Sequence, residues 1–442
     1  MTVSLIPCRT LIVKKPRLNF LFVSLEGLIG DLAWKISEEG HSVKYYIKEK
    51  FEKNICDGFV QKVASWRDYV DWADVIVFDD VGNGNLPQTL RKKGKLAIGG
   101  TSYTDRLELD REFGQKELAE VGVNILPNYN FRDFDEAAKF VKKNPGRYVI
   151  KPSGRAQSSD KELLFVGQED DGRDIIQVLK HYKKNWARKI KRFQIQKYAS
   201  GVEISVGAFF NGKEFIYPIN INFEHKRLFN GEIGPSTGEM GTLMYWSAPN
   251  RVFEETLKRM GTKLAKSGYV GYIDINCIAN GKGIYPLEFT ARFGYPHISI
   301  AMEGVTSEWG EFMYRLAKGD KFNIKVKRGF QVGVVIAVPP FPFWDTEAFT
   351  RYSEDAVVLF KNGDRKGIHL GEVKLEDGDW KLAGKAGYAL IITGSGPTVE
   401  VARKQAYSRV ENIMIPNMFY RTDIGLRWHE DSDKLQTSGY LY

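Results

Sequence analysis

The sequence predicts a mixed protein: α/β in its N-terminal part, α+β beyond it, and a mostly β region at the end. Three observations carry this. Early apolar runs alternate with amphipathic stretches, the pattern of strands joined by crossover helices in a parallel sheet. The stretch Gly271–Gly294, GYIDINCIANGKGIYPLEFTARFG, holds two β-rich runs around an Asn- and Gly-rich turn, which is a hairpin signal. After Phe330, β-runs predominate: Phe330–Val338, Ala356–Phe360, Ile368–Leu375 and Gly387–Thr393.

Taken in order, residues 1–17 read as an extension, and Leu18–Val23 as the first buried strand. Helix Asp31–Glu39, stopped at Gly40-His41, leads to a second strand, Ser42–Ile47; Trp72–Asp79 and Leu96–Ile98 are later ones. Ligands of such sheets collect at the carboxyl ends of the strands. Gly27 and Gly30 follow the first strand but do not make GxGxxG. Leu107–Val121 and Phe134–Asn144 read as helices, stopped by Gly122 and by Pro145-Gly146. Tyr148–Lys151 is a short strand delivering Lys151 ahead of a polar loop, Arg155–Lys161. A lysine so placed suits nucleotide phosphates, although a surface turn gives the same pattern.

Strands follow at Phe193–Tyr198, Glu203–Phe210 and within Lys213–Phe223. Phe229–Gly241, FNGEIGPSTGEMG, carries four glycines and a proline, and is read as a loop able to bring backbone N–H groups to an anion. Val252–Ser267, Glu308–Lys318 and Thr398–Ile413 are the remaining helices.

Composition narrows the class. A chain of 442 residues is long enough for about two to four domains. With 43% hydrophobic and 27% charged residues it is globular. Cys8, Cys56 and Cys277 lie far apart and form no CxxC pair, which suits a reducing, cytoplasmic setting. The six histidines are scattered, so zinc has no support. Arg9, Lys14, Lys15 and Arg17 interrupt the apolar N-terminus, which makes a poor signal peptide. No apolar run approaches the roughly 20 residues that span a bilayer, so no membrane partner is expected. A net charge of +9 favours anionic small molecules. No clear nucleic-acid site is present; the basic stretch Lys180–Arg192 reads as a solvated helix face.

The chemistry concentrates in the hairpin. Period-two alternation puts Tyr272, Asp274 and Asn276 on one face, and Glu288 with Thr290 on one face of the return strand. Asp274 and Glu288 are therefore expected to face each other and to share a cation, for which Mg²⁺ is suited because it takes few carboxylates plus substrate phosphates. Arg292 follows with a guanidinium suited to phosphate or carboxylate.

Several motifs then converge. His225-Lys226-Arg227, Ile233–Gly241 (IGPSTGEMG), Leu287–Gly294 (LEFTARFG), Ser395–Tyr407 (SGPTVEVARKQAY) and Tyr420–Gly425 (YRTDIG) occur in one order over the second half. With Leu32–Lys35 (LAWK) as a looser N-terminal echo, the chain resembles the phosphoribosylamine–glycine ligase family of ATP-grasp enzymes.

That resemblance implies an ATP-grasp fold: an N-terminal α/β domain at 18–105, an ATP-grasp domain at 106–327 with a lid at about 125–195, and a C-terminal domain at 328–442. It implies ATP with Mg²⁺, or Mn²⁺ in its place, and an amino acid, glycine first, joined to an amine through an acyl phosphate; the chain would be a monomer or a homodimer. Lys151 would hold ATP phosphates, with Arg111 where the family uses another lysine. Gln196, Lys197, Tyr198 and Ala199 would line the adenine, and Glu203 would accept from the ribose hydroxyls. Glu288 matches a metal ligand, Thr290 stands where the family has asparagine, and Asp274 is a further candidate ligand. Gly234, Ser236, Thr237, Gly238, Gly241 and Arg292 would bind substrate, with Arg292 and Lys226 at the reacting groups.

Departures from the family leave two alternatives. Ser24–Asp31 replaces a glycine-rich phosphate turn and brings Glu26 and Asp31; Glu239 stands at a glycine position; Tyr295-Pro296-His297 replaces an Asp-Pro-Glu; SGRAQSSDK (Ser153–Lys161) replaces a glycine-rich ATP loop. The amine would then be a different one, such as a modified nucleotide or amino sugar, or the chain would be an inactive nucleotide-binding homologue.

Overall fold

The computed structural model describes residues 16–153, 164–185 and 190–441. Most of the expected N-terminal extension, Cys8, the loop Arg155–Lys161 and residues 186–189 of the basic stretch lie outside them.

The first unit is the expected parallel sheet. Strands β1 (Asn19–Ser24), β2 (Ser42–Ile47), β3 (Val75–Phe78) and β4 (Ala97–Ile98) lie in the order β2-β1-β3-β4. Apolar β1 and β3 run parallel in the register Phe20↔Val75 and are buried along most of their length, as a sheet covered on both faces requires. Their carboxyl ends meet where Ser24 Oγ donates to Asp79 Oδ2 at 2.6 Å.

The second unit is a small sheet of β5 (Asn128–Phe131), β6 (Tyr148–Pro152), β7 (Phe165–Val166) and β8 (Phe193–Lys197), ordered β5-β8-β6-β7. Helices Phe134–Lys143 and Arg173–Asn185 pack on it through Phe134, Val141, Ile175 and Leu179, against Ile150 and Ile195. Residues 180–185 of the basic stretch are thus the last turns of an amphipathic helix, and residues 190–192 lie beyond it.

The third unit is one eight-stranded sheet, ordered β15-β14-β9-β10-β13-β16-β21-β18. Its strands are β9 (Val202–Asn211), β10 (Phe215–Glu224), β13 (Gly241–Ser247), β14 (Val270–Asn280), β15 (Gly283–Thr290), β16 (Phe330–Ala337), β18 (Ile368–Leu370) and β21 (Tyr388–Gly396). It is continuous across the boundary drawn at 327/328, because β13 pairs with β16 from Gly241↔Val334 to Tyr245↔Phe330.

Several elements differ from expectation for local reasons. The stretch Leu107–Val121 is two helices, Ser102–Leu109 and Arg111–Glu120; Asp110 leaves helical geometry and caps the second by accepting from Phe113 N. Val252–Ser267 also breaks, at Thr256, which leaves helical geometry without capping the next turn; its hydroxyl donates back to Val252 O. The Gly-rich stretch is an antiparallel ribbon and not an open loop: β11 (Arg227–Phe229) pairs with β12 (Ile233–Ser236). Ile368–Leu375 divides into β18 and β19 (Val373–Glu376) at Gly371, where a Cβ would lie 2.4 Å from Tyr388 O. The sequence reading missed β20 (Asp379–Leu382) and the C-terminal helix Trp428–Thr437.

Candidate active site

The hairpin β14–β15 fixes the site. Its turn is Gly281-Lys282, with Asn280 paired to Gly283 and a bulge between Asn276 and Cys277. This register sets Asp274 opposite Thr290 and Asn276 opposite Glu288. The expected direct pairing of Asp274 with Glu288 is corrected: the two are diagonal neighbours. Alternation identifies which residues share a face; turn and bulge decide which of them are opposed.

A cavity of about 450 Å³ lies between the small sheet and the eight-stranded sheet. Leu126, Val149, Val166, Ile278 and Leu287 give it an apolar wall, and Gln196–Ala199 run along its edge. Its other end is charged, with Arg111, Lys151, Glu203, Glu224, Lys226 and Glu288. All seven residues expected to hold ATP therefore line one cavity of a size usual for cofactors.

Lys226 Nζ stands 2.8 Å from Glu203, 3.2 Å from Glu224 and 3.5 Å from Glu288. Burial alone would lower its pKa, but these carboxylates outweigh burial and hold the ammonium well above the usual lysine range. Lys151 is pulled the other way, down to about 7, by burial and then by the Arg111 guanidinium. Arg111 Nη1 donates to Leu287 O at 3.3 Å, and Nη2 lies 3.6 Å from Glu288 Oε2.

A second chamber of about 140 Å³ shares Glu224, Lys226, Gly238 and Glu288 with the first. Glu239, Asp274, Asn276, Thr290, Arg292, Tyr295 and His297 also line it. Arg292 Nε lies 3.3 Å from Glu108 Oε1, which fixes the guanidinium at the chamber wall. Burial, then Glu224, pushes the Asp274 carboxyl well above the usual range. Burial pulls His297 down to about 3, so its ring is neutral; it stacks on Tyr272 at 4.2 Å.

The Gly-rich ribbon divides. Ser236, Thr237 and Gly238 line the first cavity, and Thr237 N donates to Lys226 O at 2.7 Å. Gly234 and Gly241 line neither. Gly234 O accepts from Arg227 Nη1, and Gly241, at φ +151, lies where a Cβ would meet Gly333 O at 2.5 Å. Gly241 is a close-packing position between strands.

For a divalent cation the donors are mixed. Among the described residues no group of three or more His, Cys, Asp or Glu is set to hold a metal. Hard oxygen donors are nevertheless present. Glu288 borders both cavities, and buried Asn276 opposite it has an Oδ1 without a partner among the described residues. Such a set fits Mg²⁺, which keeps few protein ligands beside phosphate oxygens. Thr290 and Asp274 line only the second chamber, where the Thr290 side chain hydrogen-bonds Asp274.

Sequence reasoning missed Glu224 and Asn222. The signal was Asn220, Asn222 and Glu224 at every second position of apolar β10, which puts three polar groups on one buried face. Arg427 and Asp431, at the start of the unexpected C-terminal helix, also line the first cavity. In the turn after β1, Asp31 belongs to the scaffold: its Oδ2 lies 2.8 Å from His369 Nδ1, and its Oδ1 accepts from Leu370 N. Glu26 remains, its carboxyl raised by burial and then by Asp80. Asp79, pushed to about 7 by burial and then by Asp80, accepts from Tyr295 OH at 3.2 Å.

Comparison with known proteins agrees with this geometry. Residues 109–298 match the family described as phosphoribosylglycinamide synthetase, ATP-grasp (A) domain. Phosphoribosylamine–glycine ligase of Streptococcus pneumoniae strain R6 is 26% identical over 356 residues, covering 78% of this chain and 82% of that protein. The ligase of the same name from Clostridium acetobutylicum is 26% identical over 351 residues, covering 76% and 80%. Among solved structures, phosphoribosylamine–glycine ligase from Thermotoga maritima superposes with a TM-score of 0.71 at 22% identity, over 92% of this chain and 100% of that one. Biotin carboxylase from Campylobacter jejuni does so at 0.61 and 14% identity, over 96% and 98%. Domain match, relatives and fold agree: residues 109–298 are an ATP-grasp domain of the phosphoribosylglycinamide synthetase type, in a chain that is similar over most of its length to phosphoribosylamine–glycine ligases and is an ATP-dependent ligase joining a carboxylate to an amine.

Proposed function

We propose that the chain uses ATP and Mg²⁺ to activate the carboxylate of a small amino acid, glycine first, and transfers the acyl group to an amine. The observation that carries this is the junction of the two cavities at Lys226, Glu224 and Glu288. A nucleotide seated in the larger one directs its terminal phosphate toward an acid seated in the smaller. The acid's oxygen attacks the γ-phosphorus, ADP leaves, and an acyl phosphate forms; the amine then attacks the acyl carbon, loses a proton and releases phosphate.

Arg111 and Lys151 bind phosphate oxygens in this reading, and Gln196–Ala199 with the apolar wall hold the base. Glu203 accepts from the ribose. Arg292 orients the acid, and Lys226 stands beside the transferring group as a preorganised positive charge. Glu288 and Asn276 would hold Mg²⁺, which would supply neutralisation of phosphate charge. Residues 125–195 form the lid, and the enzyme works in the cytoplasm.

The names of the relatives make phosphoribosylamine the first amine to test. Glu26, Asp79 and Asp80 at the carboxyl ends of β1 and β3 favour a second reading, a different amine, because carboxylates there repel a phosphate. The deciding experiment is ADP release with ATP, Mg²⁺ and glycine against a panel of amines. Response to phosphoribosylamine alone supports the first reading, and response to another amine alone supports the second. Tight ATP binding with no turnover for any amine rejects both in favour of an inactive homologue.

A further inference from the structure

The two cavities want opposite partners. In the larger one, the buried polar atoms left without a hydrogen bond among the described residues are donors: Arg111 Nε, Gln196 Nε2 and Arg427 Nε, the last 3.8 Å from Asp431 Oδ2. A nucleotide offers acceptors to all three. In the smaller chamber the corresponding atoms are Asn222 Oδ1, Asn276 Oδ1, Glu239 Oε1 and Thr242 Oγ1. The two amide oxygens can only accept, the hydroxyl accepts as readily as it donates, and the Glu239 oxygen accepts once ionised. Asn222, Thr242 and Asn276 are 2%, 1% and 3% exposed, so each orphaned atom is costly until a ligand meets it. With Asn276 assigned to the Glu288 side, the remaining three atoms still ask for a donor.

We propose that the smaller chamber receives the ammonium group of the amino-acid substrate, and that Glu239 is its counter-ion, with Asn222 as a second acceptor. The inference rests on the ligase reading and adds the means by which an amino acid is told from a plain carboxylic acid. The charges allow a zwitterion. Arg292 and Lys226 line the same chamber and take the carboxylate, while Glu239 faces the ammonium. In the free protein, burial and then Glu224 push the Glu239 carboxyl well above its usual range, a cost that a bound ammonium offsets. A volume of about 140 Å³ restricts the side chain to a small one. A glycine at position 239, as in the resembling family, would leave this contact out.

The test is equilibrium binding to the full chain, with a non-hydrolysable ATP analogue and Mg²⁺ present. Glycine is compared with glycolate and alanine with lactate, pairs that differ in ammonium against hydroxyl. The wild type is expected to bind each amino acid at least about tenfold more tightly than its hydroxy acid. Glu239→Gln is expected to lose about 10- to 100-fold for the amino acids, the range of a charge-assisted hydrogen bond, and nothing for the hydroxy acids or the ATP analogue. Glu239→Asp keeps part of the preference. No preference in the wild type overturns the proposal, even if a variant fails to fold; so does an unchanged preference in a Glu239→Gln protein that still binds the analogue. A wild type that prefers the amino acids but forms no ADP with any amine breaks the ligase reading and leaves the ammonium site standing.

Discussion

Glu288 and Lys226 show what single side chains do here. Glu288 reaches both cavities and lies near two cations, Arg111 and Lys226. Glu288→Gln keeps the shape and removes a charge from where the proposed reaction transfers its phosphate, and we expect ADP formation to fall by about 10²-fold, as on losing one preorganised group. Asp274→Asn should cost less, since Asp274 lies in the second chamber against Thr290. Initial rates across a Mg²⁺ series check both; a wild-type rate for Glu288→Gln would remove Glu288 from the metal assignment.

Lys151 gives a pH prediction. Its folded pKa of about 7 lies below the ordinary lysine value of 10.5, so it is neutral in the free protein above pH 7. Phosphate favours the ammonium, so ATP binding should take up a proton above pH 7 and weaken as pH rises further. Calorimetry at pH 8 in two buffers of different ionisation enthalpy reads that proton, and Lys151→Met should abolish it. That Lys151 ends a strand next to a cavity was legible, because Tyr148–Lys151 is a short β-run before Pro152. That Gly241 is a packing glycine was not, because its reason is Gly333, 92 positions away in sequence, on a neighbouring strand.

At the scale of elements, hydrophobic alternation made β14 and β15 readable but not their register. Helix Leu107–Val121 was misread because Asp110, a good cap, resembles an ordinary helix-surface residue until the chain is seen to turn there. Helix His297–Gly304 makes a further prediction. Its Glu303 is held by Lys327 at 2.6 Å and Arg409 at 3.1 Å, and accepts from Ser395 Oγ at 2.8 Å. Burial would raise its pKa, but Lys327 and Arg409 outweigh burial and set it at about 2, below the ordinary 4.5. The folded value is depressed, so the contribution is complete above pH 4.5 and is lost as pH falls through 2. Glu303→Ala should cost on the order of 3 kcal/mol near neutrality, and the variant's urea midpoint should fall less than the wild type's between pH 4.5 and 2.

Across the whole molecule, the small sheet carries its own core of Phe134, Ile150, Leu179 and Ile195 and closes one side of the larger cavity. Binding should order it against the large sheet. Amide exchange in residues 128–152 and 193–197 should slow with an ATP analogue and Mg²⁺, while β16 and β21 change little; equal change everywhere would contradict a moving lid. Three elements of the small-sheet unit, helix Phe134–Lys143 and strands β6 and β8, were legible because their apolar patterns are local information, whereas the short strands β5 and β7 were not. The eight-stranded sheet was not, since its order joins β13 to β16 across more than 80 residues of intervening chain.

That joined sheet has a consequence for how such a gene can be altered. A recombination event at residue 327 would leave β13 as a raw edge, its partner strand removed and a row of amides and carbonyls open to any passing strand. It would also remove Arg427, whose Nη2 donates to Glu224 O at 3.0 Å beside the larger cavity. A chimera built at that junction should precipitate unless the incoming segment supplies a matching strand. The last quarter of the chain is therefore inherited with the catalytic half and cannot be shuffled as a separate cassette.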